Sequence, residues 1–195
     1  MKRIVYLIIV ALLPCSICGQ RIAIKENLPL GVLRVPNLSF EIGVAPNLTL
    51  DVSGAYNPFQ ESTIKKWKLW SIQPELRYWF VENFAGSFVG LHAGVGQYNI
   101  GGFNGSIDLG GLGSVGIKGI ETTRVQGPFW DAGISYGYHR ILSPHWGIET
   151  TIGLGFGMYH YDRFRCLVCG EKQDSGTEKY YGPTRAAISL IYMIR

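Results

Sequence analysis

Two cysteines three positions apart, Cys166 and Cys169, have the spacing in this chain that most directly suggests chemistry. A zinc ion usually takes four protein ligands, so the pair would need two more, for which His160 and Asp162 are candidates. A thioredoxin-like redox pair is expected within a strand–helix–strand unit, which the surrounding sequence does not suggest. We therefore favour a disulfide that closes a short surface loop, with the zinc site and a free, reduced pair as alternatives.

Eight charged residues fall on one face of the alternating segments described below: Lys25, Glu41, Asp51, Glu75, Arg77, Asp131, Glu149 and Arg185. His92 and His139 fall on the same face. Because a buried charge must be paired, the simplest role for five acids and three bases on one face is a structural ion-pair network. A proton or ion path would need a continuous wet channel. Acid–base chemistry by Glu75 and Glu149 would need a substrate that the sequence does not indicate.

No known catalytic signature occurs in the structural context that its chemistry requires. Outer-membrane lipid A deacylases carry a serine and a histidine two positions apart on a lipid-facing strand, but His160 has Met158 and Asp162 at those places, and His92 has glycines. The pattern Gly-x-Ser-x-Gly occurs at 133–137, but it lies inside an alternating strand segment and not at the strand-to-helix turn of a nucleophile elbow. No His-Glu-x-x-His motif or phosphate-binding loop occurs. The glycine-rich stretch 101–119 has chance nucleotide-like spacings without a strand–helix context. We expect no catalytic residue, no cofactor and no metal.

The segments that carry the charged residues alternate between apolar side chains and small or polar ones. In residues 37–44, every even position is apolar and every odd position is polar or small. Alternation over about ten residues is the signature of a β-strand. The sequence therefore predicts an all-β fold with eight strands, at 21–28, 37–45, 48–56, 72–80, 85–98, 129–140, 145–159 and 181–194.

The amino-terminal residues resemble a secretory signal peptide. Two basic residues precede the apolar run 4–13, and small and polar residues follow it. The run is shorter than the roughly 20 apolar residues of a membrane-spanning helix. We expect residues 1–19 to be the signal peptide and 20–195 the mature domain. Lipidation at Cys15 or Cys18 is the alternative, although the residues before these cysteines are not small.

The distribution of apolar residues distinguishes a soluble barrel from a membrane barrel. A soluble barrel needs a lysine- and glutamate-rich outer face, whereas the less apolar face here carries glycine, serine, threonine and isolated charges. An apolar exterior around a small, polar lumen is typical of transmembrane barrels. Aromatic residues also flank the short turns like an interfacial girdle: Tyr78, Trp79, Phe80 and Phe84 at one turn, Tyr138 and Trp146 at another. We predict an eight-stranded antiparallel up-and-down transmembrane β-barrel.

The lengths of the connections predict the orientation. Short turns alternate with long connections at 57–69, 99–128 and 161–180, and bacterial barrels keep short turns in the periplasm and long loops outside. We expect a Gram-negative outer-membrane protein with both termini in the periplasm and, since eight strands leave a lumen that side chains fill, no pore. The net charge of +4 is too small to suggest nucleic acid. Connection 57–69 carries Lys65, Lys66 and Lys68 beside Trp67 and Trp70, which suits lipopolysaccharide head groups or plain solvation equally.

Several strings together resemble one family: LDVSGAYNP at 50–58, QPELRYW at 73–79, GISYGY at 133–138 and YGPT at 181–184. They are similar to the family catalogued as domain of unknown function 3575, small outer-membrane barrel proteins of Gram-negative bacteria. The resemblance implies a topology like the membrane domain of OmpA and implies no activity or cofactor. Its genes are often found near fimbria components, which suggests fimbria anchoring or assembly by association alone. The glycine-rich stretch 101–119 departs from the family by being expanded.

These observations lead to one hypothesis and two alternatives. The hypothesis is a non-enzymatic outer-membrane barrel with an envelope-structural role or a surface partner, fimbrial proteins included. Outer-membrane lipid and lipopolysaccharide are its other expected partners. The first alternative is an outer-membrane enzyme acting on lipid A or another envelope lipid. The second is a secreted, lipocalin-like binding protein with an apolar interior.

Overall fold

The computed structural model describes residues 21–58, 66–102, 106–108, 114–116, 123–165 and 170–194. Its elements in chain order are β1 Ile22–Asn27, α1 Leu28–Val32, β2 Asn37–Ala45, β3 Leu48–Asn57, β4 Lys66–Trp79, β5 Gly86–Gly101, β6 Ser106–Asp108, β7 Ser114–Gly116, β8 Arg124–Ile141, β9 Trp146–Phe164 and β10 Lys172–Ile194. The expected signal peptide and the pair Cys166 and Cys169 lie outside the described residues. No helix in these described ranges is long and apolar enough to cross a membrane.

Eight strands form one closed antiparallel ring. Its order is β1-β10-β9-β8-β5-β4-β3-β2, and pairing between β2 and β1 completes the circle. The two remaining short strands, β6 and β7, pair only with each other within the long connection between β5 and β8. The prediction of an all-β fold with eight antiparallel strands is therefore confirmed, and the small β6–β7 pair was not foreseen.

Five strands extend by several residues beyond the segments that their alternation indicated. β4 begins at Lys66, β5 ends at Gly101, β8 begins at Arg124, β9 ends at Phe164 and β10 begins at Lys172. The extra residues of β10 are exposed on nearly every position, so no apolar face marks them in the sequence. Pairing of the backbones with β9 continues through them regardless of side-chain pattern. The connections are therefore shorter than the predicted loops 57–69, 99–128 and 161–180. Trp67 and Trp70 lie on β4.

The short turns, together with Arg21 and Ile194, lie at one end of the ring, and the long connections lie at the other. The turn after β2 is held by Asn47, which adopts a positive φ of 60° and donates its side-chain amide to the carbonyls of Trp79 and Val81 at 2.9 and 2.8 Å. Asparagine accepts this left-handed conformation more readily than most residues. The turn residue thus ties two neighbouring hairpins together.

The outer face of the ring is apolar along continuous rows of paired residues. One row of successive strand partners runs Ile194, Ile22, Ile42, Leu50, Leu76, Leu91, Ile134, Leu154 and Pro183. Leu91 and Ile134 in this row are 63% and 65% exposed. When the row is followed once around the ring, it starts on β10 at Ile194 and meets β10 again at Pro183. A closed sheet whose register is offset in this way has strands tilted by about 35–45° from its axis.

The interior at the short-turn end is filled by an apolar plug. Phe84 enters it from the turn before β5 with a positive φ of 66°, and its ring centroid lies 6.0 Å from that of Trp79. Phe88 packs on the other side of Trp79 at 4.7 Å, and Ala23 and Ile191 complete the buried set. The expectation that Trp79 and Phe84 belong to an outer aromatic girdle is wrong, because β-strand alternation turns Trp79 inward and the turn folds Phe84 under it.

Candidate functional site in the interior of the ring

Side chains of the eight charged residues expected on one face all point into the ring. Each is supplied by its strand at an inward position, β4 supplying two: Lys25, Glu41, Asp51, Glu75, Arg77, Asp131, Glu149 and Arg185. Register brings seven of them into direct ionic contact in the part of the chain that the structure describes. The closed ring therefore concentrates them in one layer just beyond the apolar plug.

Arg77 is the centre of this ionic layer. Its Nη1 lies 2.9 Å from Glu41 Oε2 and 3.1 Å from Glu149 Oε1. Its Nη2 lies 3.3 Å from Asp51 Oδ2, and its Nε lies 2.6 Å from Glu75 Oε2. A guanidinium presents five N–H donors in a rigid plane, so one fully buried side chain serves carboxylates from four directions.

Lys25 joins the layer from β1. Its Nζ contacts Glu41 and lies 2.9 Å from Glu149 Oε2 and 3.7 Å from Asp51 Oδ1. The ammonium group thus shares three of the four carboxylates that Arg77 contacts. Removal of either cation would leave the same acids partly uncompensated.

Arg185 joins the layer from β10. Its Nη2 lies 2.7 Å from Asp51 Oδ2 and its Nε lies 3.3 Å from Glu75 Oε2. A β-bulge accompanies this contact. Pro183 pairs with Leu154 and Arg185 pairs with Gly153, so Thr184 is an extra residue without a partner position on β9. The alternation predicts an inward Arg185 but gives no sign of the bulge.

Each of the four central carboxylates also accepts a hydrogen bond from a hydroxyl group. The donor–acceptor pairs are Ser39 to Asp51, Thr49 to Glu41, Ser135 to Glu75 and Thr151 to Glu149. Buried charges need such additional hydrogen bonds to offset their desolvation. Sequence reasoning missed these residues, although small polar side chains at inward positions were the available signal.

Asp131 stands one step apart from the ionic layer. It accepts a hydrogen bond from Gln73 Nε2 at 2.9 Å, and Gln73 Oε1 in turn accepts one from Arg185 Nη1 at 2.8 Å. Space for this carboxylate comes from Gly94, where a Cβ would lie 2.6 Å from Asp131 Oδ2. The amide of Gln73 therefore links Asp131 to the cations indirectly.

The two interior histidines lie outside the ion pairs. His92 is buried and its Nε2 is 2.7 Å from the Oγ1 of the bulge residue Thr184. His139 is buried at the other end of the ring, with its ring centroid 6.2 Å from that of Trp79. These positions give the histidines packing roles beside the ionic layer.

A cavity of about 240 Å³ lies between the ionic layer and the long-connection end. Asp51, Gln73, Asp131 and Arg185 line its charged side, and Phe129 is among its apolar lining. Towards the short turns the layer rests on the plug, where the Arg77 guanidinium lies 4.4 Å from the Phe88 ring centroid. The interior is thus ordered as plug, ionic layer and cavity.

The outer face holds one histidine cluster that resembles hydrolase chemistry. His160 Nδ1 lies 3.0 Å from Thr177 Oγ1, and its Nε2 lies 3.8 Å from Asp162 Oδ1. The second distance is beyond a hydrogen bond. Asp162 is instead engaged by Lys172 Nζ at 2.6 Å. If Thr177 took the place of the nucleophile, His160 would still need a second partner bonded to its other ring nitrogen to act as an oriented base. Asp162 does not supply that hydrogen bond, so this geometry does not favour the enzymatic alternative.

No group of three His, Cys, Asp or Glu residues in the described ranges is arranged to hold a metal ion. The interior carboxylates are engaged by cations or hydrogen-bond donors instead. The arrangement is therefore one of charge compensation among buried groups.

Comparison with known proteins gives a family and no function. A family model described as a protein of unknown function (DUF3575) matches residues 4–194, nearly the whole chain. No curated protein matches, and no solved structure matches.

Proposed function

We propose that this chain, which belongs to the DUF3575 family, is a non-enzymatic β-barrel of the Gram-negative outer membrane that spans the bilayer and presents its long connections at the cell surface. The observation that carries the proposal is the polarity of the two faces of the sheet. Large apolar side chains are exposed around the outside of a closed ring, and charged side chains are buried inside it.

In water this distribution would be unfavourable, and in a bilayer it is favourable. Each exposed apolar Å² in water costs about 25 cal/mol, and the outer rows expose aliphatic side chains on every strand of the ring except β1, where Ile22 and Ile24 are half-buried. A hydrocarbon environment removes that cost but leaves no water for unpaired backbone groups. A closed ring of strands meets this second requirement because it has no edge.

Aromatic residues bound the apolar band at both ends. On β4, Trp70 and Tyr78 point outward eight residues apart, and on β8 Trp130 and Tyr138 have the same separation. Eight residues rising about 3.3 Å each along a strand tilted by about 40° span roughly 20 Å, close to the 25 Å apolar height of outer-membrane barrels. Such girdles mark the two membrane interfaces.

The asymmetry of the ring supports the orientation. Short turns gather at one end, which in bacterial barrels faces the periplasm. At the other end β8, β9 and β10 rise well above β1, which ends at Asn27 opposite Ser189. This tall wall carries the long connections to the surface, where a protein partner, including a fimbrial one, would meet them.

The interior argues against the lipocalin-like alternative. A lipocalin-like binder needs an apolar cavity, whereas the cavity here is bounded by Asp51, Asp131 and Arg185 on its charged side. The apolar interior that exists is the filled plug around Trp79. An apolar ligand in this cavity would lie against buried charged groups, which disfavours its binding.

Fractionation and surface labelling test the proposal. The protein should remain in outer-membrane fractions after salt and carbonate washes and should migrate differently on gels before and after heating. In a C166S/C169S background, K172C should react with a membrane-impermeant maleimide in intact cells, and R140C should react only after lysis. Recovery in the soluble fraction would refute the membrane assignment, and reversed labelling would refute the orientation.

A clean deletion tests the surface-partner proposal separately. Loss of surface-fibre assembly, restored by the intact gene, is the expected result if the partner is fimbrial. Wild-type fibre assembly in the deletion strain would contradict the fimbrial role and leave the barrel assignment standing.

A further inference from the structure

We propose that the outer rim of β4, β5 and β8 binds the phosphorylated sugar head group of an outer-leaflet lipid. The rim site consists of Lys68, Asn99, Gln126 and Arg124, with Trp70 and Gln97 directly below. This inference rests on the proposed function, because it needs the apolar band beneath the site to lie in the membrane.

Strand register places the rim residues side by side on the outer face. Lys68 pairs with Asn99, and Asn99 pairs with Gln126, so these three form one row across three strands. Arg124 lies two residues further along β8, on the same face. Neighbouring strands are about 4.8 Å apart, so the two cations flank the two amides within roughly 12 Å.

The amides are already arranged for recognition. Asn99 Nδ2 donates to Gln126 Oε1 at 3.1 Å, which fixes both side chains. Asn99 Oδ1 is buried without a hydrogen-bond partner in the described structure. A buried acceptor without a donor is costly, so a rotation of the Asn99 side chain that brings Oδ1 to a ligand hydroxyl would be favourable. Amide groups that accept from and donate to hydroxyls are suited to sugars.

The cations are also available for a ligand. Neither Lys68 nor Arg124 has an ion-pair partner among the described residues, and Arg124 Nε has no hydrogen bond there. The Arg124 guanidinium is held 4.4 Å from the Phe164 ring centroid, which orders it without neutralising it. Arginine and lysine so placed bind phosphate oxygens through charge-assisted hydrogen bonds. The next carboxylate in the row, Asp162, is engaged by Lys172 at 2.6 Å.

Position along the ring favours a lipid over a soluble sugar phosphate. The row below the site runs Tyr56, Trp70 and Gln97, and the row below that runs Ile72, Val95 and Trp130. The outer face therefore changes within two rows from wholly apolar, through a row of two aromatic residues and an amide, to the row that carries Lys68. A surface hollow of about 300 Å³ at this level is lined by Tyr56, Lys68, Trp70, Gln97 and Asn99 among others. A lipid would set its acyl chains on the lower row and its head group at the rim.

Lipid retention in native mass spectrometry tests this site. Folded full-length protein, verified by its heat-modifiable gel shift, is transferred from mixed micelles that contain equal amounts of rough lipopolysaccharide and phosphatidylglycerol. We expect the wild type to retain lipopolysaccharide in preference to phosphatidylglycerol, with little displacement by inorganic phosphate. K68Q/R124Q should retain at least about tenfold less lipopolysaccharide than the wild type, because two charge-assisted contacts are lost.

Matched variants separate the site from general charge attraction. R21Q/R140Q removes the same charge at the short-turn end and should retain lipopolysaccharide as the wild type does. N99A/Q126A keeps the charge and should lower retention of lipopolysaccharide but not of phosphatidylglycerol. Three results would overturn the site. K68Q/R124Q and R21Q/R140Q could lose lipopolysaccharide equally, the wild type could retain both lipids equally, or inorganic phosphate could readily displace the lipopolysaccharide. Failure of the membrane assignment would instead appear in cell fractionation, independently of this measurement.

Discussion

Replacing Arg77 by methionine should destabilise the folded ring strongly. The substitution keeps a long side chain but leaves four buried carboxylates without their shared partner: Glu41, Asp51, Glu75 and Glu149. Breaking a buried ion pair by removing one partner costs about 3–5 kcal/mol, and the full burial of Arg77 gives water no access to reduce that cost. Lys25 and Arg185 still reach these acids, so the loss should stay within that range rather than multiply by four.

Urea unfolding of protein folded in phospholipid vesicles measures this loss. Tryptophan fluorescence and the folded and unfolded gel bands should report the same transition midpoint. R77M should lower the midpoint without changing the slope of unfolding free energy against urea, since the surface exposed on unfolding is unchanged.

A charge-balanced double variant identifies the cause. R77M/E75Q restores the original balance of acids and bases, and it should recover about 1–2 kcal/mol relative to R77M, as expected for residues in direct contact. R140M, on the exposed outer face, should stay within about 0.5 kcal/mol of the wild type. A loss below about 1 kcal/mol in R77M, or a double variant less stable than R77M, would refute the role of the ionic layer.

Three further predictions concern the outer face, the strand spacing and the plug. L91R, at the middle of the apolar band, should lower the free energy of unfolding in a bilayer by about 2–4 kcal/mol, whereas Q97R on the same face near the interface should lower it by at most about 1 kcal/mol. Equal losses for the two variants in the urea titration would contradict membrane insertion. G155A should destabilise by about 1–3 kcal/mol, because its Cβ would lie 2.2 Å from a backbone oxygen, while G54A, with its nearest atom at 3.8 Å, should be nearly neutral; the same titration compares the two. F84A should cost about 3–5 kcal/mol by emptying part of the plug, and a smaller change would mean that the turn collapses onto the space.

The sequence predicts the facing of each strand because alternation requires no knowledge of neighbours. Glu75 and Arg77 were assigned inward and Leu76 and Tyr78 outward, and the structure has the first two buried and the last two exposed. A period of two fixes the side of the sheet once the strand is recognised. Residues that extend a strand beyond its apolar pattern, such as those of β10 from Lys172, carry no such signal.

The identity of each partner was beyond the sequence. Arg77 contacts acids from β2, β3 and β9, and those contacts depend on the register of strands that are far apart in the chain. Register is shifted by the bulge at Thr184, for which Pro183 is a signal, since proline inside a strand is confined to edges and bulges, but its exact position does not follow from that residue. The plug was missed for a related reason, since Phe84 enters the interior from a turn, where alternation does not apply.

The seam between β1 and β10 has a consequence for how the chain reaches its native state. Six residue pairs, from Ile22 with Ile194 to Asn27 with Ser189, join segments separated by more than 160 positions. Contacts this distant in sequence form late, because the entropy of closing so long a loop must be offset before they contribute. Until the seam forms, β1 and β10 both expose open edges that invite pairing with other chains. Loss of residues 189–194 should therefore yield an assembly-prone intermediate rather than a slightly weakened ring.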